Sequence, residues 1–252
     1  MSQPLEEIKD KLKFFDDEKF SFDPIEHKYI YAGEAYPSIT TFIKKFCVPF
    51  DAMKMSGFVS RKTGVPAETI REQWEDKNQV ARDVGHITHD WIENYFNGVY
   101  QKIPTHLGAI DRINKFNVIY AKRLHALTPL AFERRMFSTK YKLAGTLDSL
   151  FMKEGKLFMI DWKTNSEMKN DDHPKGKYNK MYPPFEDMWD NDYNHYSIQV
   201  WTYVLMLEDI GVHVDDCFLV YIGENTDAQI LKTVNLKDRI RKYLDENCLS
   251  VS

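Results

Sequence analysis

No apolar run in this 252-residue chain approaches the ~20 residues a membrane helix needs. The amino-terminal stretch Met1-Ser2-Gln3-Pro4-Leu5-Glu6-Glu7 resembles neither a signal peptide nor an Arg-rich transit sequence. A cytoplasmic location without a membrane partner is therefore expected. Cysteine is scarce too. Cys47, Cys217 and Cys248 are scattered without C-x-x-C spacing, so no disulfide framework and no zinc or iron–sulfur ligand set is indicated, and buried or inert thiols are expected. Excess positive charge is also missing. The formal net charge of −4 does not advertise nucleic acid, although a groove can be locally basic in an acidic protein. Neither an internal repeat nor a low-complexity segment is visible.

What is present is an ordinary globular composition, 43% hydrophobic, enough for one large domain. Residues 1–128 read as a ribbon followed by a helical region. Met1 to Tyr36 is a lead-in with two short strands around Asp23-Pro24 and Ala32-Gly33. Ser38 caps a helix through Ile39, Phe42, Ile43 and Phe46. Further helices are expected from about Asp51 to Lys62, Ala67 to Tyr95 or Phe96, and Leu107 to Leu124. Residues 129–252 read as three strands from Leu130 to Lys163, an irregular stretch, and a helix from about Tyr196 to Leu207. Strands at Cys217 to Ile222 and near Gln229 to Val234 follow, then a helix from about Lys237 to Glu246. The two regions are expected to form one compact domain.

The runs Gly145-Thr146-Leu147-Asp148-Ser149-Leu150-Phe151-Met152 and Leu157-Phe158-Met159-Ile160-Asp161-Trp162-Lys163-Thr164 flank Lys153-Glu154-Gly155-Lys156, a charged, Gly-containing turn. This is a β-hairpin pattern. Asp148 would open its first strand and Asp161 close its second, so antiparallel pairing brings both to one end. Lys163 lies two residues beyond Asp161 and shares its face. Two carboxylates and a lysine then converge where a divalent cation and a phosphate could sit. An isolated D-x-K has little specificity, since an Asp at a strand end is more often a turn former.

On the long helix, Ala81, Gly85, His89 and Glu93 recur every four residues and form one stripe. His89 is either a satisfied core histidine or a partner of the hairpin carboxylates around a cation. A competing site is His86, His89 and Asp90, as in a helical zinc site or an HD-type metal phosphohydrolase. That alternative needs an all-helical fold and leaves Asp148, Asp161 and Lys163 unexplained. Tyr196, Gln199 and Tyr203 share a later helix face at spacings three and four.

In this order, G-x-x-x-H-x-x-x-E (Gly85, His89, Glu93), Glu133, G-T-L-D (Asp148), D-W-K-T (Asp161, Lys163) and Q-x-x-x-Y (Gln199, Tyr203) resemble the RecB-type branch of the PD-(D/E)xK nuclease superfamily. The nearest-looking members are phage-type exonucleases and the mitochondrial genome maintenance exonuclease. Tyr36-Pro37-Ser38-Ile39-Thr40 is similar to a P-S-V-T helix start in those proteins. The resemblance implies an α/β, restriction-endonuclease-like αβββαβ core, a central mixed sheet flanked by helices, with an N-terminal helical layer. It implies Mg²⁺ or Mn²⁺ held by His89, Asp148, Asp161 and the Trp162 carbonyl, with Lys163, Asp148 and Asp161 catalytic. Gln199, Tyr203, Glu133, Glu93 and Ser38 would support the site or contact substrate. Cysteines flanking the core, which hold an iron–sulfur cluster in some branches, are absent.

The implied activity is hydrolysis of DNA phosphodiester bonds from free ends, single-stranded or flapped, in phage or bacterial DNA processing, recombination or repair. The location would then be a bacterial host if the chain is phage-encoded. The alternatives are a double-strand exonuclease working with an annealing protein, or a nuclease-fold DNA-binding protein without turnover. A single-strand-binding protein is a further expected partner. No P-loop is present, so unwinding would need a partner. The basic run Arg112, Lys115, Lys122, Arg123, Arg134, Arg135, Lys140 and Lys142 would be either a DNA track or a solvated helix face. Tyr178, Tyr182, Phe185, Trp189 and Tyr193 would either stack on unpaired bases or pin their loop to the core.

Overall fold

The computed structural model describes residues 3–248; the side chain of Cys248 lies outside the described residues, as do Met1 and Ser2. The expected amino-terminal ribbon begins instead with a helix, α1 (Leu5–Leu12). Ile8 and Leu12, four apart, are buried, Glu6 and Glu7 lie in its first turn, and Lys9 and Lys11 lie in its last, complementing the helix dipole at both ends. A 3₁₀ turn (Lys13–Asp16) leads to an antiparallel meander of β1 (Phe20–Asp23), β2 (Lys28–Tyr31) and β3 (Glu34–Tyr36), three strands where two were expected.

Ser38 caps α2 (Ile39–Lys44), its hydroxyl accepting the Thr41 N–H. Asp51 does the same for Lys54 in α3 (Ala52–Thr63). Then come α4 (Ala67–Phe96), starting after Pro66, and α5 (Leu107–Ile119), which continues as a π turn through Leu124. At 30 residues, α4 is about 45 Å long.

The rest of the chain supplies β4 (Thr128–Ser138), β5 (Leu143–Lys153), β6 (Lys156–Lys163), α6 (Asp192–Asp209), β7 (Asp216–Tyr221), β8 (Gln229–Lys232) and α7 (Lys237–Cys248). The five strands form one sheet in sequence order, antiparallel except for the parallel pair β6–β7. A parallel pair requires a crossover, which here runs through α6. The β5–β6 turn uses Glu154 at φ 52° and Gly155 at φ 75°, the left-handed pair that a two-residue hairpin demands. The protein is thus mixed α/β, with a five-stranded mixed sheet and helices. No helix among the described residues is long and apolar enough to cross a membrane.

Two apolar clusters occupy the two sides of the sheet. The larger joins Leu147, Leu150 and Met159 to Val204 and Leu205 of α6, and also takes in Ile8, Tyr29 and Phe42 from the amino-terminal region. The smaller holds Ile160, Trp162 and Phe151 of the sheet against Ile92 of α4 and Phe116 and Ile119 of α5. Neighbours in β6 therefore part company: Met159 enters one cluster, while Ile160 and Trp162 enter the other.

Candidate active site

Asp148 lies in the middle of β5 and does not open it, because Leu143 to Leu147 extend the strand to pair with β4 as far as Ser138. Its pairing with β6 ends at Ser149↔Ile160, one step short of Asp148 and Asp161. On the other side, regular pairing with β4 passes from Phe132↔Ser149 to Arg134↔Leu147, which leaves Glu133 and Asp148 opposite each other. Three carboxylates thus occupy equivalent positions on three adjacent strands. Glu133 has φ 42°, a left-handed conformation that costs a non-glycine residue about 1–3 kcal/mol.

Beyond this row β5 and β6 diverge. The Trp162 N–H, without a β5 backbone carbonyl, donates to Asp148 Oδ2 at 2.8 Å. The free side of β5 is taken up by the lead-in to α2: the Ala144 N–H donates to Pro37 O at 3.1 Å, and Ser38 bridges Ala144 in parallel. Ser38 therefore wedges the fork open with its backbone and caps α2 with its side chain.

α4 crosses the fork with His89 facing inward. Gly85, one turn earlier, permits this approach, since a Cβ there would come 3.3 Å from Thr164 Oγ1. His89 Nε2 lies 3.0 Å from the Trp162 carbonyl, and Nδ1 lies 3.2 Å from Glu133 Oε1 and 3.8 Å from Asp148 Oδ2. Burial opposes charge on this ring, but Asp148 and Glu133 outweigh it and push its pKa up to about 9. The imidazolium can then donate from both nitrogens. Glu93, one turn further, is half-buried and its carboxyl is pushed up by burial and by Glu133 and Asp90. His86 and Asp90 are exposed, so the helical His-Asp alternative does not assemble.

Asp161 and Lys163 lie on the α6 side of β6 and meet at 2.7 Å. Asp161 is almost wholly buried; its Oδ2 takes the charged contact from Lys163, while its Oδ1 has no hydrogen-bond partner. Burial, with Asp148 adding to it, raises the Asp161 carboxyl to about 6 against the pull of Lys163. Burial also raises Asp148, opposed by His89 and Lys163. The Lys163 ammonium resists burial because Asp161 and Asp148 hold its proton. It donates to Gln199 Oε1 at 3.1 Å and sits 4.2 Å from the centre of the Tyr196 ring. Gln199 bonds in turn to Tyr203, whose hydroxyl burial keeps well above its ordinary pKa. Gly145 makes room for that ring: a Cβ there would fall 2.6 Å from Tyr203 Oη.

The donors suit a hard divalent cation. Asp148, Asp161 and the Trp162 carbonyl supply oxygens, Asp161 Oδ1 is buried without a partner, and His89, Glu133 and Asp148 offer ligand atoms within 4.8 Å of one another. Oxygen ligands favour Mg²⁺ or Mn²⁺, and an imidazole tilts the site towards Mn²⁺. A cleft of about 390 Å³ opens onto His89, Trp162, Lys163 and Tyr196, with Ala81 and Arg82 of α4 on its rim.

Tyr196, grouped with Gln199 and Tyr203 by its spacing, stands over Lys163, a contact the spacing alone did not assign. The basic run does not form one track. Arg112 bonds Asp111 and the Thr164 carbonyl, Lys115 bonds the Gly223 and Glu224 carbonyls, and Arg134 reaches Leu12. Arg135 lies over Phe22, Lys140 pairs with Asp245 and Lys142 with Glu34; these three are exposed, as are Lys122 and Arg123. Among the loop aromatics Phe185 is buried, Trp189 and Tyr193 are half-buried, and Tyr178 and Tyr182 remain exposed.

No protein-family model matches the chain, and no curated protein matches it. Among solved structures, a crystal structure of SSO0001 is similar over 58% of this chain and 60% of that one, less than two thirds of its length, at 16% identity and a TM-score of 0.27.

Proposed function

We propose that this protein is a divalent-cation-dependent DNA exonuclease with a restriction-endonuclease-like core, hydrolysing phosphodiester bonds from free single-stranded or flapped ends. The observation that carries the proposal is the buried Asp161 carboxylate beside Asp148, its Oδ1 without a partner and its Oδ2 against Lys163, with a cleft opening onto Lys163 and His89. Two buried carboxylates side by side are costly, and a cation shared between them would offset that cost. The order of elements from β4 to β7, three antiparallel strands, a helix and a parallel strand, supports the reading.

Mg²⁺ or Mn²⁺ would be held by Asp148, Asp161 and the Trp162 carbonyl, and by His89 through Nε2 once that nitrogen has given up its proton. When bound, such an ion acidifies a water and polarises the phosphate. The protein's own groups do the rest. Lys163 positions the attacking water or stabilises charge growing on the phosphate. Gln199 and Tyr196 hold its ammonium in place. Glu133 and Asp148 anchor His89.

The test is digestion of end-labelled linear single-stranded, linear duplex and closed circular DNA with Mg²⁺ or Mn²⁺, comparing wild type with Lys163→Ala. Degradation of the linear single strand, lost in the variant, is the expected result. Cleavage of circles would replace it with an endonuclease, and preference for duplex ends with the double-strand alternative. No metal-dependent cleavage of any substrate would leave a DNA-binding protein.

A further inference from the structure

A second group of metal-binding side chains lies away from the carboxylate row. Cys47 follows α2, Asp190 ends the long connector after β6, and His195 sits in the first turn of α6. Their ligand atoms lie within 4.8 Å of one another. His195 Nε2 is 2.6 Å from Asp190 Oδ1 and 3.3 Å from Cys47 Sγ, and the thiol faces Asp190 as well. One ring nitrogen therefore receives both a carboxylate and a sulfur. Its single proton is spent on Asp190 at the shorter distance, and the thiol donates elsewhere, to the Ile43 carbonyl at 3.4 Å. A metal ion at the point of convergence would serve all three.

The surroundings fit. The Val48 N–H holds Asp190 Oδ2 at 2.6 Å, which fixes the carboxylate and leaves Oδ1 directed inward, as an outer hydrogen bond does for a metal ligand. The Tyr182 N–H donates to Phe46 O at 2.7 Å, and Phe46 packs edge-on against Phe185 at 5.0 Å, so the connector is already fastened to the end of α2. The His195 side chain is 27% exposed, leaving a way in and a position for a water as fourth ligand.

Bonds of about 2.3 Å to sulfur and about 2.0 Å to nitrogen and oxygen at tetrahedral angles would place sulfur about 3.6 Å and oxygen about 3.3 Å from the nitrogen. The observed 3.3 Å and 2.6 Å are both shorter. Occupancy then requires the ligands to spread by less than an ångström, with the thiol proton expelled.

We propose that Cys47, Asp190 and His195 bind Zn²⁺ as a clip that fastens the connector to α2 and to the first turn of α6. The thiolate, imidazole and carboxylate set selects a borderline-soft ion over Mg²⁺, so the clip and the carboxylate row take different metals. The clip sits one helical turn before Gln199, the residue that holds Lys163.

The test titrates the full-length, chelator-treated protein with Co²⁺ as an optical probe. One equivalent is expected to give a thiolate-to-metal charge-transfer band, displaced by Zn²⁺, with Zn²⁺ raising the melting temperature. The band and the thermal shift should vanish in Cys47→Ser and His195→Ala and persist in Asp148→Asn. Should His195→Ala fail to fold, the single-atom change Cys47→Ser decides alone. Absence of the band, its survival in Cys47→Ser, or an undiminished Zn²⁺ shift in that variant would overturn the proposal.

Discussion

The two clusters, His89–Glu133–Asp148 with Asp161 and Lys163, and Cys47–Asp190–His195, differ in what positions them. The first is set by strand register, with a helix laid across it. The second is set by the ends of α2 and α6 and by the connector between. Register places carboxylates side by side whatever their charge, and the sheet cannot move them apart. The result is an excess that His89 and Lys163 offset only in part, with Asp161 Oδ1 left without a partner. Connectors can adjust, and there the side chains have paired among themselves: Asp190 binds His195 and the Val48 N–H together. A rigid frame can hold charge in an unfavourable arrangement, whereas a flexible one settles it.

Both clusters rest on aromatic floors, and removing a floor tests their independence. Phe116 is wholly buried and meets the Trp162 ring edge-on at 5.5 Å. Phe116→Ala should cost about 3–5 kcal/mol, read by urea denaturation. It should weaken Mn²⁺ binding while leaving the Cys47 band in the folded protein unchanged; loss of both together would show the two regions to be one. Next comes Lys163→Ala, expected to lower cleavage about 10²-fold or more, with its far-ultraviolet dichroism unchanged. Near-normal turnover would remove Lys163 from the reacting groups.

Gly145→Ala probes the support behind Lys163. The new methyl would meet Tyr203 Oη at 2.6 Å and should destabilise by about 1–3 kcal/mol. Tyr203→Phe in the same chain should restore part of the loss, a coupling readable in a double-mutant cycle. Smallest is Asp111→Asn, at the outer edge of the rigid region, where Arg112 reaches Thr164. Burial raises the Asp111 carboxyl, but its bonds to Lys115 and Arg112 outweigh that and hold it below the ordinary range. A depressed folded-state pKa gives stability that is present above the unfolded value of about 4 and is lost as pH falls through the lower folded value. Asp111→Asn should flatten the acid side of the stability profile by under about 1 kcal/mol, because the side chain is 44% exposed.

Much of the rigid region could be read from sequence, for a physical reason: register and helical period are local rules. Pro66 and the four-residue stripe through Gly85 and His89 located α4, and Glu154-Gly155 located the hairpin. Asp148 was put at a strand start because the run was read from Gly145 onward, whereas β5 begins at Leu143 and Gly145 is a vacancy for Tyr203. The left-handed Glu133 had no signal, since neither glycine nor asparagine marks it. α1 was missed because its apolar positions are few, and Ile8 and Leu12 find their partners only in the assembled core. The basic run looked continuous, yet six of its members are engaged elsewhere in the fold. Cys47, Asp190 and His195 were illegible together, because two of them lie more than 140 residues from the third and no spacing rule joins such positions.

The fork at Asp148 and Asp161 also bears on how the sheet moves. Amide protons in a central strand usually exchange slowest at its middle, since fraying starts from the ends. Here β5 pairs with both β4 and β6 from Ser149 to Met152, but from Leu143 to Leu147 with β4 and, at Ala144, only the Pro37–Ser38 lead-in. Two stretches of ladder meet at an acidic rung, so the sheet resembles a jointed plank rather than a slab. The Trp162 amide, held by one carboxylate rather than by a strand carbonyl, is expected to exchange faster than its β6 neighbours in a hydrogen-exchange measurement, which would put the loosest joint of the sheet where phosphate is proposed to bind.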